Sequence, residues 1–138
     1  MELNQAVRSA LTSGHLAHLV TIEANGLPHV TMVWVGLEGD EIVCGHPGAL
    51  RKVANVRRNP AVALSMETGH RNVSGFDEYL IIYGKARVTE GGAADLLHRL
   101  AEVYLGPNVR FPRGDDPSAG YVTRITVDRV AGVGPWRD

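Results

Sequence analysis

The pattern of apolar and polar positions predicts a chain made mostly of β-strands. Six segments are mainly apolar or β-branched: His15 to Glu23, His29 to Leu37, Glu41 to Gly45, Ala61 to Glu67, Tyr79 to Thr89 and Tyr121 to Asp128. In the fifth of them, Leu80 and Ile82 alternate with outward positions such as Lys85, as expected for a half-buried strand. Asn25-Gly26 lies between the first two segments and is a strong hairpin signal, so we expect consecutive strands to pair antiparallel.

Three other segments have apolar residues three or four positions apart, which is the period of a helix. They run from about Leu3 to Leu11, from Gly48 to Asn59 and from Ala93 to Leu105. The second helix begins after a Gly/Pro turn and ends at Asn-Pro. It is predicted to pack through a narrow stripe made of Leu50, Val53, Ala54 and Arg57.

These elements, six or seven antiparallel strands with three flanking helices, give a mainly β fold with α+β character. A chain of 138 residues has the size of a single domain, so we expect one domain over residues 1–138. A barrel is favoured over a sandwich, because closing the sheet removes its unpaired edges. The stretch from Asn108 to Gly120 is rich in Pro, Gly and charged residues and predicts an exposed loop.

Composition and charge narrow the functional classes. The net charge is −1 and the basic residues around Arg51 form only a local patch, which argues against a general nucleic-acid binder. No apolar run is long enough to span a membrane, and the N-terminus lacks signal-peptide features, so we expect a cytoplasmic protein without a membrane partner. Cys44 is the single cysteine, which excludes an intramolecular disulfide and a cysteine-based zinc site, and no metal is expected.

The most informative feature is the basic start of the second predicted helix. Arg51 and Lys52 lie in its first turn, beside the positive end of the helix dipole, where each charge costs about 0.3–1 kcal/mol unless an anion is bound. A phosphate there would be held by free backbone N–H groups and by both cations. The spacing alone favours the alternative, a solvated basic helix start whose cations bind no anion.

The order of these features resembles a known family. A hairpin and a strand precede Arg51-Lys52, Asn59-Pro60 follows, and a strand with the pattern Tyr-x-x-x-x-Gly-x-Ala begins at Tyr79. This arrangement is similar to the pyridoxamine 5′-phosphate oxidase-like split β-barrel family, and most similar to its F420-dependent oxidoreductase branch. The resemblance covers about residues 11–136. It implies a homodimer with two flavin or deazaflavin sites between the subunits.

The resemblance also implies which residues hold the cofactor. The basic pair would bind its phosphate, and the second strand would lie against its ring. The predicted cofactor-binding residues are Thr31, Met32, Val33, Trp34, His46, Leu50, Arg51, Lys52, Asn55 and Trp136. Alternatives remain open for three of them: His46 as a plain turn residue, Trp34 as a core residue and Trp136 as an interface anchor.

The chain departs from the family pattern in two places, and each departure changes what activity is expected. A serine often precedes the basic pair in the family, whereas Leu50 stands there in this chain, so one hydroxyl contact to phosphate is missing. True pyridoxamine phosphate oxidases end in an extended segment bearing Arg and His that grips the substrate phosphate. This chain ends in Gly-Pro-Trp-Arg-Asp, so vitamin B6 oxidase activity is not expected.

No Ser/His/Asp arrangement points to hydrolysis, and no catalytic residue can be assigned. Hydride chemistry needs little acid–base help from the protein, because the cofactor supplies the reactivity. The expected function is therefore hydride transfer from reduced coenzyme F420 to a small unsaturated organic substrate. The alternatives are an FMN-dependent oxidoreductase of the same family and a non-catalytic module that binds a flavin, deazaflavin or tetrapyrrole. The expected partner is a second copy of the chain, with Val33, Val35, Ile81 and Tyr83 at the interface.

Overall fold

A computed structural model describes residues 1–109, 111 and 120–137 of the chain. Its elements are α1 (Gln5–Leu11), β1 (Ala17–Ile22), β2 (Pro28–Val33), β3 (Gly36–Glu38), β4 (Glu41–His46), α2 (Arg51–Arg58), β5 (Ala61–Arg71), β6 (Asp77–Glu90), α3 (Ala93–Tyr104) and β7 (Tyr121–Val133). The prediction of a mainly β fold with α+β character is confirmed. The predicted loop from Asn108 to Gly120 lies almost wholly outside the described residues.

The seven strands form one antiparallel sheet in the order β2-β1-β5-β6-β7-β4-β3. Its two edge strands, β2 and β3, are consecutive in the chain and are joined only by Trp34 and Val35. Three Cα–Cα steps reach at most about 11 Å, so the two edges must come together and the sheet must curl. The result is the predicted split β-barrel.

The predicted continuous strand from His29 to Leu37 is wrong, because the structure breaks it after Val33. At the break, the backbone N–H of Val35 donates to the hydroxyl of Tyr104 at 3.0 Å, and that hydroxyl donates to the carbonyl of His15 at 2.9 Å. A side chain of α3 therefore takes the place of a strand partner. The expected antiparallel pairing of consecutive strands is confirmed for β1 with β2 and for β3 with β4, but the break places β3 and β4 at the opposite edge of the sheet, where β4 also pairs with β7.

The long hairpin of β5 and β6 exceeds its predicted length. The predicted strands end at Glu67 and begin again at Tyr79, but Arg71 still pairs with Asp77 beyond an irregularity in the register. The turn itself is closed by Asn72, whose side-chain oxygen accepts two backbone N–H groups of the turn. Polar composition therefore marks the exposed end of the hairpin and not the end of its strands.

The apolar core fills the barrel interior, and a second, smaller cluster lies between α3 and the outer side of β4 and β7. The largest buried side chains of the interior include Leu19, Ile42, Leu64, Leu80, Ile82 and Ile125. The second cluster consists of Val43, Leu96, Leu100 and Val122. A Cβ at Gly36 would lie 2.9 Å from Leu100, and one at Gly45 would lie 3.0 Å from Leu97, so glycine at both positions lets α3 approach the sheet.

No described element covers the outer side of the other half of the sheet, formed by β2, β1, β5 and β6. We call this surface the outer apolar face; its members are Val20, Val30, Met32, Tyr79, Ile81 and Tyr83. Met32 is 48% exposed and Tyr83 is 38% exposed. Val33 and Val35 are 7% and 1% exposed and lie in the barrel core, so the prediction that they belong to an interface is wrong.

Candidate functional site

The candidate site is built around α2, which packs against the barrel through Val53 and Val56. Val56 belongs to the barrel core cluster. The predicted contact stripe is correct only for Val53, because its other members, Leu50, Ala54 and Arg57, are exposed. The helix is rotated from the predicted orientation so that the polar Asn55 also faces inward and is buried.

Hydrogen bonds of Asn55 explain this rotation. Its side-chain Nδ2 donates to the hydroxyl of Thr21 on β1 at 3.0 Å, and its Oδ1 accepts from Arg58 at 2.7 Å. Arg58 also donates to the carbonyl of Ile22 at 3.1 Å. Asn55 and Arg58 together therefore fasten α2 to the end of β1. The predicted cofactor contact of Asn55 stays a prediction, and the structure shows its amide engaged within the protein.

Arg51 and Lys52, the basic pair predicted to bind phosphate, have different surroundings. Lys52 is half-buried, and its charge acts on His46 and Cys44 of β4. Burial lowers the pKa of Lys52 from its usual value, since the charged form loses hydration. Arg51 is exposed over 70% of its side chain and lies 3.3 Å from a carboxylate oxygen of Glu23 at the end of β1.

The start of α2 has no side-chain cap. Leu50 occupies the N-cap position, is 45% exposed and offers no polar side-chain atom. The backbone N–H of Val53 already donates to the carbonyl of Leu50 at 3.0 Å. The N–H groups of Arg51 and Lys52 have no partner among the described residues and are available to an external acceptor. An anion at this point would lie between the backbone donors and the side chain of Lys52.

His46, at the end of β4, is 1% exposed and has one free ring nitrogen. Its Nε2 is 2.8 Å from the hydroxyl of Thr123, whereas its Nδ1 is buried and has no partner among the described residues. Burial, helped by the charge of Lys52, lowers the pKa of His46 to about 4. The imidazole is therefore neutral at pH 7. A buried polar atom without a partner is uncommon, and this one belongs to an imidazole on which the charge of Lys52 acts.

The residues predicted to lie against the cofactor ring alternate between the two sides of β2. Thr31 and Val33 face the barrel interior, whereas Met32 belongs to the outer apolar face. The hydroxyl of Thr31 and the Nδ1 of His29 are buried without partners in the described part of the chain. Side chains on both sides of a strand cannot contact the same face of one planar ring. Contacts of this strand with a ring remain a prediction.

Two tryptophans from the predicted site are occupied by packing within the chain. Trp34 stacks on Tyr104 with ring centres 5.3 Å apart and meets Phe111 edge-on at 5.5 Å. Trp136 is 8% exposed, and its indole N–H donates to the carbonyl of Tyr79 at 3.0 Å. Trp136 therefore anchors the tail to its own barrel, which argues against the alternative of an exposed interface anchor, and its predicted contact with the cofactor stays a prediction.

Sequence reasoning missed three polar residues that build this end of the barrel: Thr21, Thr123 and Glu23. Thr21 and Thr123 are buried and hold Asn55 and His46, respectively. Each lies at an inward position of a strand whose other inward residues are apolar. A polar residue at such a position was the signal in the sequence that could have identified them. Glu23 gave no such signal, because its contact with Arg51 depends on how α2 is placed.

Two further observations concern other classes of site. No group of three His, Cys, Asp or Glu side chains within residues 1–109, 111 and 120–137 is arranged to hold a metal ion. Over the same residues, none of the helices is both long enough and apolar enough to cross a bilayer.

Residues 3–134 match the model of the pyridoxamine 5′-phosphate oxidase family, and the chain belongs to that family. The resemblance found in the sequence is thereby confirmed. The family includes oxidoreductases and binds flavin or deazaflavin cofactors. No protein with a curated description matches the chain.

Solved structures share the fold at low sequence identity. An F420 reductase is 22% identical with a TM-score of 0.72, and the match covers 90% of this chain and 94% of that one. A conserved hypothetical protein from Mycobacterium tuberculosis is 22% identical with a TM-score of 0.71, over 95% of this chain and 86% of that one. A provisionally assigned pyridoxamine 5′-phosphate oxidase from Listeria innocua is 19% identical with a TM-score of 0.66, over 93% and 95%.

Proposed function

We propose that the protein is an oxidoreductase that binds coenzyme F420, with the cofactor phosphate at the start of α2, and reduces a small unsaturated organic substrate. The observation that carries this proposal is the uncapped helix start beside Lys52 and the unpartnered, buried Nδ1 of His46. Backbone N–H groups, a half-buried cation and a free imidazole nitrogen together suit a phosphate group.

The residues of the chain have binding and positioning roles in this proposal. F420, when bound, supplies the hydride. Lys52 and the first-turn N–H groups hold the phosphate, and the ammonium group is less screened by water because it is half-buried. Asn55 and Arg58 keep α2 in place against β1. No described residue is assigned as a proton donor, and we expect solvent to supply the proton that completes the reduction.

An FMN-dependent oxidoreductase is the nearest alternative, because a phosphate site at α2 suits both cofactors. F420 differs by an anionic tail beyond its phosphate, which further cations would favour. Three further arginines could meet such a tail, but each is engaged within the chain: Arg57 lies 3.6 Å from Glu90, Arg87 lies 2.9 Å from Glu41, and Arg58 donates to Asn55. Because Arg51 is likewise paired with Glu23, the preference for F420 rests chiefly on Leu50, which offers no hydroxyl to the phosphate site.

We expect the purified protein to bind F420 more tightly than FMN, and raised salt to weaken F420 binding more, since screening acts most on exposed ionic contacts. Fluorescence titrations of both cofactors at low and high ionic strength measure this directly. Tighter binding of FMN with little salt dependence would assign the protein to the flavin alternative. Absence of binding by either cofactor would contradict the site at α2, and a Soret band in the absorbance spectrum would indicate a tetrapyrrole.

We also propose that the protein is a homodimer, because the outer apolar face leaves Met32, Tyr83 and neighbouring side chains exposed on one side of the sheet. Light scattering at micromolar concentration should give twice the 14.9 kDa mass of one chain. Met32→Glu should shift the mass toward the monomer, whereas Leu105→Glu, which places a charge at a similarly exposed apolar position after α3, should not. A monomeric wild-type protein would contradict the proposal.

A further inference from the structure

Arg51 is held by a residue outside the helix that carries it. Among the described residues, its guanidinium has one hydrogen-bond partner, the Oε1 of Glu23 at 3.3 Å. The backbone of Glu23 is fixed on both sides by the β1–β2 turn: its N–H donates to the carbonyl of Leu27 at 2.8 Å, and its carbonyl accepts from Gly26 at 2.9 Å. The backbone that carries this carboxylate therefore has a defined position next to α2, and the contact with Arg51 orients the side chain.

This ion pair borders an open cavity between the β1–β2 turn and α2. The cavity is lined by Glu23, Asn25, Arg51, Ala54 and Arg58, among others. The small side chain of Ala54 leaves the space between the two arginines open. Arg58 is fixed from within by Asn55 and by the carbonyl of Ile22, so Arg51 is the more movable of the two cations. Its side chain is also the more exposed partner of its ion pair, at 70% against 26% for Glu23.

We propose that Glu23 is an affinity-determining residue of the anion site: its carboxylate holds the Arg51 guanidinium at the β1–β2 turn, and a bound phosphate must take Arg51 from it. The inference rests on the proposed function, since it requires an anionic cofactor at the start of α2. An exposed ion pair contributes little, which makes the exchange feasible. Lys52 acts on His46 and Cys44 of β4 and forms no ion pair with a described residue, whereas Arg51 is paired with Glu23. The two cations therefore differ in their availability to a phosphate.

An alternative role for Glu23 predicts the opposite effect of its removal on cofactor affinity. If the carboxylate positions Arg51 for the ligand instead of competing with it, removal of its charge will weaken binding. If Glu23 acts only as a nearby negative charge, its removal will strengthen binding whether or not Arg51 is present. A double-mutant cycle separates these cases, because it isolates the coupling between the two side chains.

The test is to titrate F420 and FMN by fluorescence into wild type, Glu23→Gln, Arg51→Ala and the double variant. We expect Glu23→Gln to bind the preferred cofactor about two- to fivefold tighter, matching the strength of an exposed pair. In the Arg51→Ala background the same substitution should change affinity less than about twofold. Asp40→Asn serves as the control, because it removes a carboxylate from the exposed pair with Arg8 elsewhere in the chain, and it should leave affinity unchanged.

The outcomes distinguish a failure of the proposed role of Glu23 from a failure of the proposed function. If wild type binds a cofactor and Glu23→Gln binds it equally or more weakly, the proposal for Glu23 is overturned and the proposed function stands. An equal gain in the presence and absence of Arg51 also overturns it, in favour of a general charge effect. If neither wild type nor Glu23→Gln binds F420 or FMN, the proposed function fails and the role of Glu23 fails with it.

Discussion

Lys52→Ala is expected to weaken cofactor binding by about ten- to hundredfold, as measured by fluorescence titration of F420 and FMN. The substitution removes a charge-assisted hydrogen bond worth about 1.5–3 kcal/mol. The side chain is half-buried, so its charge is less screened than that of an exposed lysine. Folding should be unaffected or slightly improved, because the change removes a partly desolvated cation from the positive end of α2. Thermal denaturation checks the second expectation.

Lys85→Ala is the matched control for this experiment, since it removes the same charge from an exposed position on β6. Arg58 is a poor control, although it is distant from the helix start in sequence, because it holds Asn55 and its loss would loosen α2. Arg51→Ala should weaken binding less than Lys52→Ala, since Arg51 must first leave Glu23.

No loss of affinity for Lys52→Ala would place the cofactor elsewhere. Equal losses for Lys52→Ala and Lys85→Ala would indicate a diffuse electrostatic effect.

The second large effect is a loss of stability in mild acid. Burial holds the pKa of His46 at about 4, against 6.5 for an unperturbed histidine. Between these two values the unfolded chain binds a proton that the folded protein excludes. The free energy of unfolding should therefore fall by about 1.4 kcal/mol per pH unit as pH decreases through this window, or about 3 kcal/mol in total. Urea denaturation at several pH values between 7 and 4 measures this slope.

His46→Gln should remove most of that slope, whatever it does to stability at pH 7. His70→Gln, at an exposed position on β5, should retain it. Glu38, whose pKa is lowered mainly by its hydrogen bond from Arg124, adds acid sensitivity only below about 4.5 and so barely overlaps the window. A slope that survives in His46→Gln would show that other groups are responsible and that His46 accepts a proton in the folded state.

Much of the fold followed from local patterns. The alternation of Leu80 and Ile82 with outward residues located the central strand β6, and the Gly/Pro turn and Asn-Pro sequence placed α2 within three residues of its observed bounds. The break after Val33 could not be predicted, because it depends on the hydroxyl of Tyr104, which is 69 residues from Val35 in the sequence. Local preference specifies a strand there, and a tertiary contact overrides it.

The candidate site, like the fold, could be predicted only in part. Arg51 and Lys52 were identifiable because cations in a first helical turn are unfavourable without an anion. The surroundings of each of these side chains could not be predicted from the sequence. They depend on the rotation of α2, which the hydrogen bond between Asn55 and Thr21 fixes. Helical periodicity assigned Ala54 to the buried side because it weighs only apolar character. A buried amide with a specific partner is outside what such a pattern can specify.

The order of strands in the sheet has a consequence for synthesis on the ribosome. Strand β4 is made before β7, yet it lies between β3 and β7 in the sheet. Its residue Glu41 pairs with Thr126, which is far from it in the sequence. Until the C-terminal strand has emerged, the β3–β4 hairpin has no place in the sheet and its apolar residues stay accessible. Contacts of such long sequence separation also make refolding slow in comparison with a helical protein of this size. Closure of the barrel therefore waits until β7 has been made.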